Sequence, residues 1–398
     1  MSSSSIMFQS LNKKDLPAFR ELLKYSFILK NEQVENWVPD DFPLEWIVAG
    51  YDEERLVTGT IIFPRDLAGP RGIESTGCVS GVATDPNARG SGLAKGLMKA
   101  CLERMRKDHV RWALLYPFDF EFYSKLGWGQ GSPCSRISFP PSLLDLRRAP
   151  GGSFRFVEFK EWAVLSKIHR EWVHAGPGAL LRFDRIWGYL INRPLTPRHA
   201  VVWISPDGVT EGYLIYELNR KVLDTRDGSV MNIVDWAWKT PEARRALEGY
   251  IAHHRGQLGI VNILLPPDDP LTNIEGESVA KRTVRGPMGR IVDVDAYFSE
   301  SQRVENGGVV IQIIDPVCEW NNGLFRLVLQ GDSIDGFRVE DTRPDIVLDI
   351  GSLSAFLWGS LSAGTILATE SLRGDAPQRL CSIESGVPRK PPFFHDWF

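Results

Sequence analysis

A glycine-rich turn between a short β-rich run and a helix is the feature that most restricts what this chain can fold into. The residues from Val82 to Ala94 read VATDPNARGSGLA. Cys78–Thr84 predicts a strand that ends at Asp85-Pro86, and a helix is expected from about Ser91 to Lys107. This order predicts an α/β unit. The turn lacks the Gly-Lys-[Ser/Thr] ending of a P-loop, and a dinucleotide fingerprint would follow a first strand nearer the N-terminus.

The same turn has the composition of an anion site. Gly90 and Gly92 allow the backbone to fold with several N–H groups pointing inward, and Ala94 leaves room for a diphosphate against the first helical turn. The positive end of the helix dipole and the guanidinium of Arg89 favour the same charge. A glycine-rich turn without any ligand is the alternative that these residues leave open.

The length of 398 residues predicts two or three domains, each able to bury a core of its own. We place the first at residues 1–150. Around the glycine-rich turn, periodicity predicts a helix at Asp15–Lys30, a hairpin from Trp46–Gly50 and Leu56–Phe63, and a buried strand at Trp112–Tyr116. Prolines and glycines in the stretch from Arg136 to Gly152 favour a linker.

The second domain, residues 151–288, repeats this order of elements. The predicted elements are a helix at Glu161–Val173, a hairpin of His199–Ile204 and Thr210–Leu218, a strand at Val230–Trp238, a helix from Thr240 to about His254, and a strand at Ile260–Leu265. Thr240 and Pro241 have the composition of an N-cap and a first helical residue. The stretch Thr240–Arg245 has no glycine and has an acid in its first turn, so we expect it to repel a diphosphate.

The third domain, residues 289–398, is predicted to be an α+β module of short strands. The strands are expected at Val309–Ile314, Phe325–Gln330, Phe337–Glu340 and Ile346–Ile350, followed by one helix at about Ser352–Leu361. Residues 388–398, which we call the tail, are expected to be extended.

Charge and composition exclude several classes of function. The 46 Lys and Arg against 50 Asp and Glu give a net charge of -4, so nucleic acid and anionic lipid are unfavoured partners. No apolar run is long enough to span a bilayer, and the first residues do not resemble a secretory signal, so we expect a cytoplasmic protein. The five cysteines are dispersed without a C-x-x-C pair, which predicts neither a disulfide framework nor a metal site.

Two segments together resemble a known family. Arg89-x-x-Gly92-x-Ala94 after a β-run is similar to the acetyl-CoA pyrophosphate loop of the GCN5-related N-acetyltransferases (GNAT). The stretch from Phe118 to Trp128 resembles the final helix of that fold, in which a tyrosine, here Tyr123, is followed four residues later by glycine. The segment PGALLRFD at 177–184 and the ending PPFFHDWF at 391–398 narrow the resemblance to the Eis (enhanced intracellular survival) acetyltransferases, over the whole chain.

The resemblance implies two tandem GNAT domains, of which the second has lost its cofactor, followed by a sterol-carrier-protein-like domain, in a homohexamer. It also implies an acetyl-CoA-dependent N-acetyltransferase that acts on small-molecule or peptide amines, such as aminoglycosides or lysine side chains. The residues carried over as binding acetyl-CoA are Val82, Ala83, Thr84, Arg89, Gly90, Gly92, Leu93 and Ala94.

Transfer to an amine needs a proton acceptor for the amine and a proton donor for the departing thiolate. Tyr123, with an ordinary pKa of about 10, suits the donor role, and its structural alternative is an aromatic packed in the final helix. By resemblance, the α-carboxylate of Phe398 enters the first domain's site and accepts the proton. Because its pKa of about 3.5 matches an ammonium poorly, we expect it to act through a water or to hold the cation. His395 is the competing base.

Phe27, Trp37 and Asp396 are carried over as the aromatic and acidic lining of the amine pocket, with a core role as the alternative for Trp37. A different class of function also stays open, namely a binding protein that carries an apolar ligand in its third domain. Leu353, Phe356, Leu357 and Leu361 are better explained as core than as a lipid tunnel.

Overall fold

The computed structural model describes residues 6–131, 133–145, 151–173, 178–191, 197–220, 229–299, 307–340, 342–369, 376–388, 390, 392–396 and 398. Arg389, Pro391 and Trp397 of the tail lie outside these residues. No described helix is both long and apolar enough to cross a membrane.

The first domain forms a mixed sheet with helices on its faces. Its elements are β1 Met7–Ser10, α1 Leu16–Phe27, α2 Asn31–Trp37, β2 Ile47–Asp52, β3 Arg55–Gly69, β4 Gly72–Thr84, α3 Leu93–Lys107, β5 Trp112–Leu115, α4 Phe120–Ser124 and β6 Gly129–Gln130. The predicted first helix is confirmed and buries Leu16, Phe19 and Leu23, one stripe of its apolar period. The β2–β3 hairpin is antiparallel, and β4 and β5 run parallel with α3 as the crossover.

The second domain repeats this plan. Its elements are β7 Pro133–Phe139, β8 Ser153–Phe156, α5 Trp162–Val173, α6 Asp184–Ile191, β9 Arg198–Ile204, β10 Thr210–Arg220, β11 Ser229–Trp238, α7 Pro241–His253, β12 Ile260–Leu265 and β13 Ala280–Arg285. The predicted β9–β10 hairpin is confirmed, and the structure pairs β11 with β12 in parallel. The predicted N-cap is confirmed too, because the Thr240 side chain accepts a hydrogen bond from the Ala243 N–H.

The two large sheets exchange strands across the bounds proposed at 150 and 288. The strand order of the second sheet is β13-β7-β12-β11-β10-β9-β8, so β7 lies between β13 and β12. The order of the first is β1-β2-β3-β4-β5-β14-β6, where β14 is Met288–Ile291. The linker predicted from Arg136 was therefore wrong for Arg136–Phe139: Ile137 and Phe139 alternate as buried residues of a strand, and the prolines follow only after it.

The third domain is a four-stranded sheet, ordered β17-β16-β15-β18, with helices packed beside it. Its elements are α8 Val294–Tyr297, β15 Val309–Ile314, β16 Gly323–Gln330, β17 Ser333–Val339, β18 Ile346–Asp349, α9 Ile350–Leu357, α10 Ala363–Thr369 and α11 Ala376–Ile383. The four predicted strands and the helix α9 are confirmed. The sequence did not indicate α8, α10 and α11, which are short helices of four, seven and eight residues.

One hydrophobic core joins the third domain to the first. The indole rings of Trp112 in β5 and Trp358 after α9 lie 4.6 Å apart between centroids, and Tyr297 packs edge-on against Trp112. A fully buried ion pair between Arg290 of β14 and Asp315 lies at the same junction. Because this core is continuous, the third domain packs directly against the first sheet.

Candidate active site

The strand β4 carries a bulge next to the predicted turn. Gly59 pairs with Ala83 but Ile61 pairs with Ser80, so two residues of β4 face one residue of β3, and Gly81 has a φ of 67°. The Thr60 hydroxyl donates to the carbonyl oxygen of Ser80 at 2.8 Å and fixes this geometry.

The pairing of β4 with β5 stops just before the bulge. The last pair is Val79 with Leu115, although β4 continues to Thr84. Beyond Val79, β4 forms no further pairs with β5, and a gap opens between the two strands. Ala83 pairs with Gly59 of β3, and the gap leaves the backbone of Val82 and Thr84 where an extended ligand can bond to it.

The turn itself is built for an anion. Gly90 and Gly92 have φ values of 79° and 81°, and a Cβ at either position would meet nothing within 4 Å. Helix α3 begins at Leu93 without a side-chain cap and without an acid in its first turn. Since the first N–H groups of a helix lack partners within it, those of Leu93 and Ala94 face the turn as donors.

Arg89 stands at the edge of this turn. Its Nε donates to the carbonyl oxygen of Thr84 at 3.4 Å, and its guanidinium carbon lies 5.8 Å from the centroid of the Tyr25 ring. The residue is exposed, so the remaining N–H groups of the fork can meet a phosphate. Donors, open space and positive charge together fit the diphosphate of acetyl-CoA.

Tyr123 lies in α4, directly after the gap-lining strand β5. It is buried within a set of aromatic rings, packing edge-on against Phe118, Phe122 and Trp128 at centroid distances of 5.1–6.3 Å. Burial raises the pKa of the Tyr123 hydroxyl above its ordinary value. The hydroxyl therefore stays protonated at neutral pH, as a proton donor must. The ring also packs in the helix, so Tyr123 can serve both as a packed aromatic and as a proton donor.

Phe27 and Trp37 lie together beside the bulge. Their rings meet edge-on at 5.5 Å, and the Trp37 ring reaches so close to Gly81 that a Cβ there would lie 3.1 Å from it. Phe27 is 44% exposed, so this pair presents an aromatic surface next to the gap. The structure thus brings both predicted aromatics to the same place as Val82.

The tail packs against the rest of the protein through its aromatic residues. Phe393 and Phe394 are buried, and Phe394 packs edge-on against Trp358 at 5.2 Å. The ring of Phe398 lies 5.1 Å from that of Tyr116, one residue past the last paired residue of β5. Within the described part of the chain, no ion pair or hydrogen bond to the Phe398 carboxylate is present.

Asp396 and His395 are both held by the second domain. Arg182 donates from Nε to the Asp396 carboxylate at 2.7 Å, and Nδ1 of His395 lies 2.7 Å from Oδ1 of Asp235. Arg182 also forms a buried ion pair with Asp235. The charge of Asp396, expected in the amine pocket, is thus compensated by an arginine, and its side chain is only 13% exposed.

The electrostatics of this cluster follow from its burial. Burial by itself would raise the pKa of Asp235, but Arg182 and His395 hold it well below its ordinary value. The pKa of Arg182 is well above its ordinary value because Asp235 and Asp396 outweigh the effect of burial. The Tyr213 hydroxyl donates to Asp235 at 2.6 Å and completes the set.

The corresponding turn of the second domain differs in every respect that matters for an anion. Only Lys239 and Thr240 separate β11 from α7. The Thr240 side chain already accepts the Ala243 N–H, and Glu242 stands in the first turn.

Sequence reasoning missed Gly81, Tyr116, Arg182 and Asp235. Arg182 lies in a segment that carried the resemblance, but no role was assigned to it. The signal for Asp235 was available: an aspartate inside the β-rich run Val230–Trp238 must be buried, and a buried carboxylate needs a charged partner. The bulge at Gly81 has no comparable signal, since a glycine in a strand indicates a bulge only weakly.

Comparisons with known proteins agree with this geometry. Residues 8–131 and 178–291 each match the family described as Acetyltransferase (GNAT) domain, and residues 294–395 match the family described as Sterol carrier protein domain. A comparison with curated proteins gave no significant match.

Three solved structures are similar over 99% of this chain and 100% of their own. They are a GCN5-related N-acetyltransferase from Anabaena variabilis (20% identity, TM-score 0.84), a conserved protein of unknown function and probable N-acyltransferase from Enterococcus faecalis (22%, 0.84), and Eis1 from Mycobacterium abscessus (18%, 0.80). At these identities the likeness shows the fold.

Proposed function

Since the chain is an N-acetyltransferase with two GNAT domains, a sterol carrier protein domain and an Eis-like fold, we propose that its first domain acetylates amines of polyamine-type substrates. Aminoglycosides and lysine side chains are the substrates we expect. The observation that carries the proposal is the open turn at Gly90 and Gly92, at the uncapped start of α3 and next to the gap between β4 and β5.

Acetyl-CoA supplies the acetyl thioester. The N–H groups of Gly90, Gly92, Leu93 and Ala94, together with Arg89, would hold its diphosphate. The backbone of Val82 and Thr84 would bond to the pantetheine, with the Val82 N–H near the thioester oxygen.

Two protons have to move for an amine to become an amide. An amine with a pKa near 10 is neutral in only about one molecule in a thousand at pH 7, so a group that accepts its proton is needed. The Phe398 carboxylate would hold the ammonium and pass its proton to a water. The Tyr123 hydroxyl would protonate the departing thiolate.

The substrate class follows from the surface around the gap. Phe27 and Trp37 form a partly exposed aromatic surface that a cation can contact, and the Phe398 carboxylate adds negative charge. Asp396 contributes less than its charge suggests, because Arg182 neutralises it. A site of this kind selects positive charge more than one positional isomer, so several amines of one polyamine should react.

A panel of amines tests the proposal. Thiol release from acetyl-CoA should rise with aminoglycosides, lysine-containing peptides and simple polyamines, and mass spectrometry should find more than one acetyl group on a polyamine. If no product forms with any of them, the proposed substrate class is wrong.

The role of Phe398 has its own test. Residues added after Phe398 replace its carboxylate by a neutral amide, and deleting Phe398 withdraws the charge by about 3.5 Å. Both changes should lower kcat/KM while the melting temperature hardly changes, because the cores are untouched. Full activity in the extended protein would show that the Phe398 carboxylate is not needed as proton acceptor. Water would then be the acceptor, because the competing base His395 is directed to Asp235.

Two further points rest on the resemblance. A homohexamer is the assembly that it implies, and light scattering on the purified protein tests it. The alternative of an apolar ligand in the third domain finds little support, because Leu353, Phe356 and Leu357 are buried within the core shared with the first domain.

A further inference from the structure

The second domain makes a set of contacts to the tail that its loss of a cofactor does not explain. Residues 178–181 run along β3 of the first domain: the Ala68 N–H donates to the Ala179 carbonyl at 2.9 Å, and the Leu181 N–H donates to the Asp66 carbonyl at 2.8 Å. These bonds fix the position of the next residue, Arg182.

Arg182 links the second domain to the tail through charge. Its side chain is only 2% exposed and contacts two carboxylates, Asp235 of β11 and Asp396 of the tail. Asp235 in turn faces His395. The adjacent tail residues His395 and Asp396 therefore each contact a charged side chain of the second domain.

The backbone beside this cluster leaves room for the tail. Gly178 has a φ of 92°, and a Cβ at this position would lie 2.7 Å from the backbone nitrogen of Phe393. The tail thus passes directly over the segment that carries Arg182.

The cluster occupies the place in the second domain that the gap occupies in the first. The pairing of β11 with β12 covers only residues 230–232 of β11, and the register of β10 with β11 shifts between Ile215 and Tyr216, which leaves Val234 as the extra residue. Asp235 comes directly after Val234 in the bulge of β11, and Val82 comes directly after Gly81 in the bulge of β4. Where the first domain has an open slot, the second has a charged residue that binds the tail.

The anchor lies close enough to Phe398 to control it. Asp396 is two residues before Phe398, and an extended chain spans at most about 3.3–3.6 Å per residue, so fixing Asp396 confines Phe398 to within about 7 Å. The Tyr116 hydroxyl, which donates to the Asp396 carbonyl at 2.9 Å, adds a second fixed point at the gap.

Buried ion pairs are an inefficient source of stability, because desolvation offsets much of their attraction. They do fix geometry, since each charge is held by a partner in one place. We propose that Arg182 and Asp235 are positioning residues: the second domain anchors the tail through them and so holds the Phe398 carboxylate at the gap of the first domain. The catalytic consequence rests on the proposed function of Phe398, whereas the anchor itself does not.

The experiment compares Arg182→Gln with Arg244→Gln in the full-length protein. Arg244 forms a comparable ion pair with Asp269 in the second domain and, among the described residues, no hydrogen bond or ion pair with the tail, so it serves as the matched control. Three quantities are measured: the rate at which carboxypeptidase releases Phe398, kcat with a polyamine, and the Kd of acetyl-CoA.

Arg182→Gln should speed the release of Phe398 at least tenfold and lower kcat about tenfold or more, with an unchanged Kd, and Arg244→Gln should change none of the three. An unchanged release rate in Arg182→Gln would overturn the anchor. Faster release with unchanged kcat would support the anchor and overturn the role of Phe398 as proton acceptor. Should Arg182→Gln fail to fold, Asp396→Asn keeps the Arg182–Asp235 pair and is read by the same criteria.

Discussion

The two acetyltransferase domains share a plan and differ at the step from strand to helix. In the first domain eight residues, 85–92, connect β4 to α3, and the helix starts at Leu93 without a side-chain cap. In the second, two residues connect β11 to α7, and Thr240 caps the helix. A helix N-terminus is therefore not enough for an anion site: the N–H groups must be free, and the connection must be long enough to surround the ligand.

The second difference lies behind the turn. Both domains have a bulge and a shortened parallel ladder, but the first presents Val82 there and the second presents Asp235. An apolar residue leaves the slot open to a ligand, whereas the aspartate attracts Arg182 and, with it, the tail. One framework would thus serve two tasks, binding a cosubstrate in the first domain and holding a segment of its own chain in the second.

The largest effect is expected at Tyr123. Tyr123→Phe keeps the ring packed but removes the proton donor, so kcat should fall about 10²-fold or more while the Kd of acetyl-CoA stays the same. Tyr216→Phe in the second domain is the control, because it removes a hydroxyl whose hydrogen bond, among the described residues, is to the Tyr250 hydroxyl at 2.8 Å. Normal turnover in Tyr123→Phe would reduce this residue to a packing role.

The pH dependence of kcat sharpens this prediction. Because burial raises the pKa of Tyr123, its donor form persists to higher pH than that of an exposed tyrosine, whose pKa is about 10. No loss of kcat from Tyr123 ionisation should appear between pH 7 and about pH 10. A decrease centred well below pH 9, absent in Tyr123→Phe, would contradict the burial argument.

The next effect is expected at the turn. Valine is strained at a φ near 80°, so Gly92→Val should distort the turn and weaken acetyl-CoA binding about tenfold or more. Gly208→Val is the matched control for backbone strain. Gly208 lies in the β9–β10 turn with a φ of 78°, and a Cβ there would also meet nothing within 4 Å. Both variants should lose similar stability in thermal melting, but only Gly92→Val should lose affinity in calorimetry. Equal affinities would mean that the turn does not bind the diphosphate.

The smallest effect is expected at the cap of the second domain. Thr240→Ala removes the hydrogen bond to the Ala243 N–H and should cost about 1 kcal/mol of stability, whereas Thr240→Ser should cost little. Chemical denaturation measures both. Acetylation should be unchanged, since the connection between β11 and α7 remains two residues long. A second acetyl-CoA site in Thr240→Ala would show that the Thr240 cap alone prevents binding in the second domain.

The sequence was sufficient for the parts of the fold that depend on local pattern. The strand, turn and helix around Gly90 and Gly92 are predictable, because glycine, proline and the hydrophobic periodicity each determine structure within a few residues. The exchange of β7 and β14 between sheets is not predictable in this way, since each strand is paired with partners distant in sequence. The same holds for the third domain's short helices, which have little periodicity to detect.

For the site, the sequence indicated residues but not their partners. Phe27 and Trp37 were named and do meet beside the bulge. Asp396 was named for its charge, but its neutralisation by Arg182 depends on a contact across 214 positions of the chain. Charge complementarity between distant segments becomes visible only when the fold brings them together.

The central claim is that only the first domain binds acetyl-CoA. A calorimetric titration of the unmodified chain with acetyl-CoA tests it directly, repeated with Gly92→Val and Thr240→Ala. The account predicts one site per chain, weakened by the first substitution and unaffected by the second. Two equivalent sites per chain, or one site that keeps its full affinity in Gly92→Val, would contradict it.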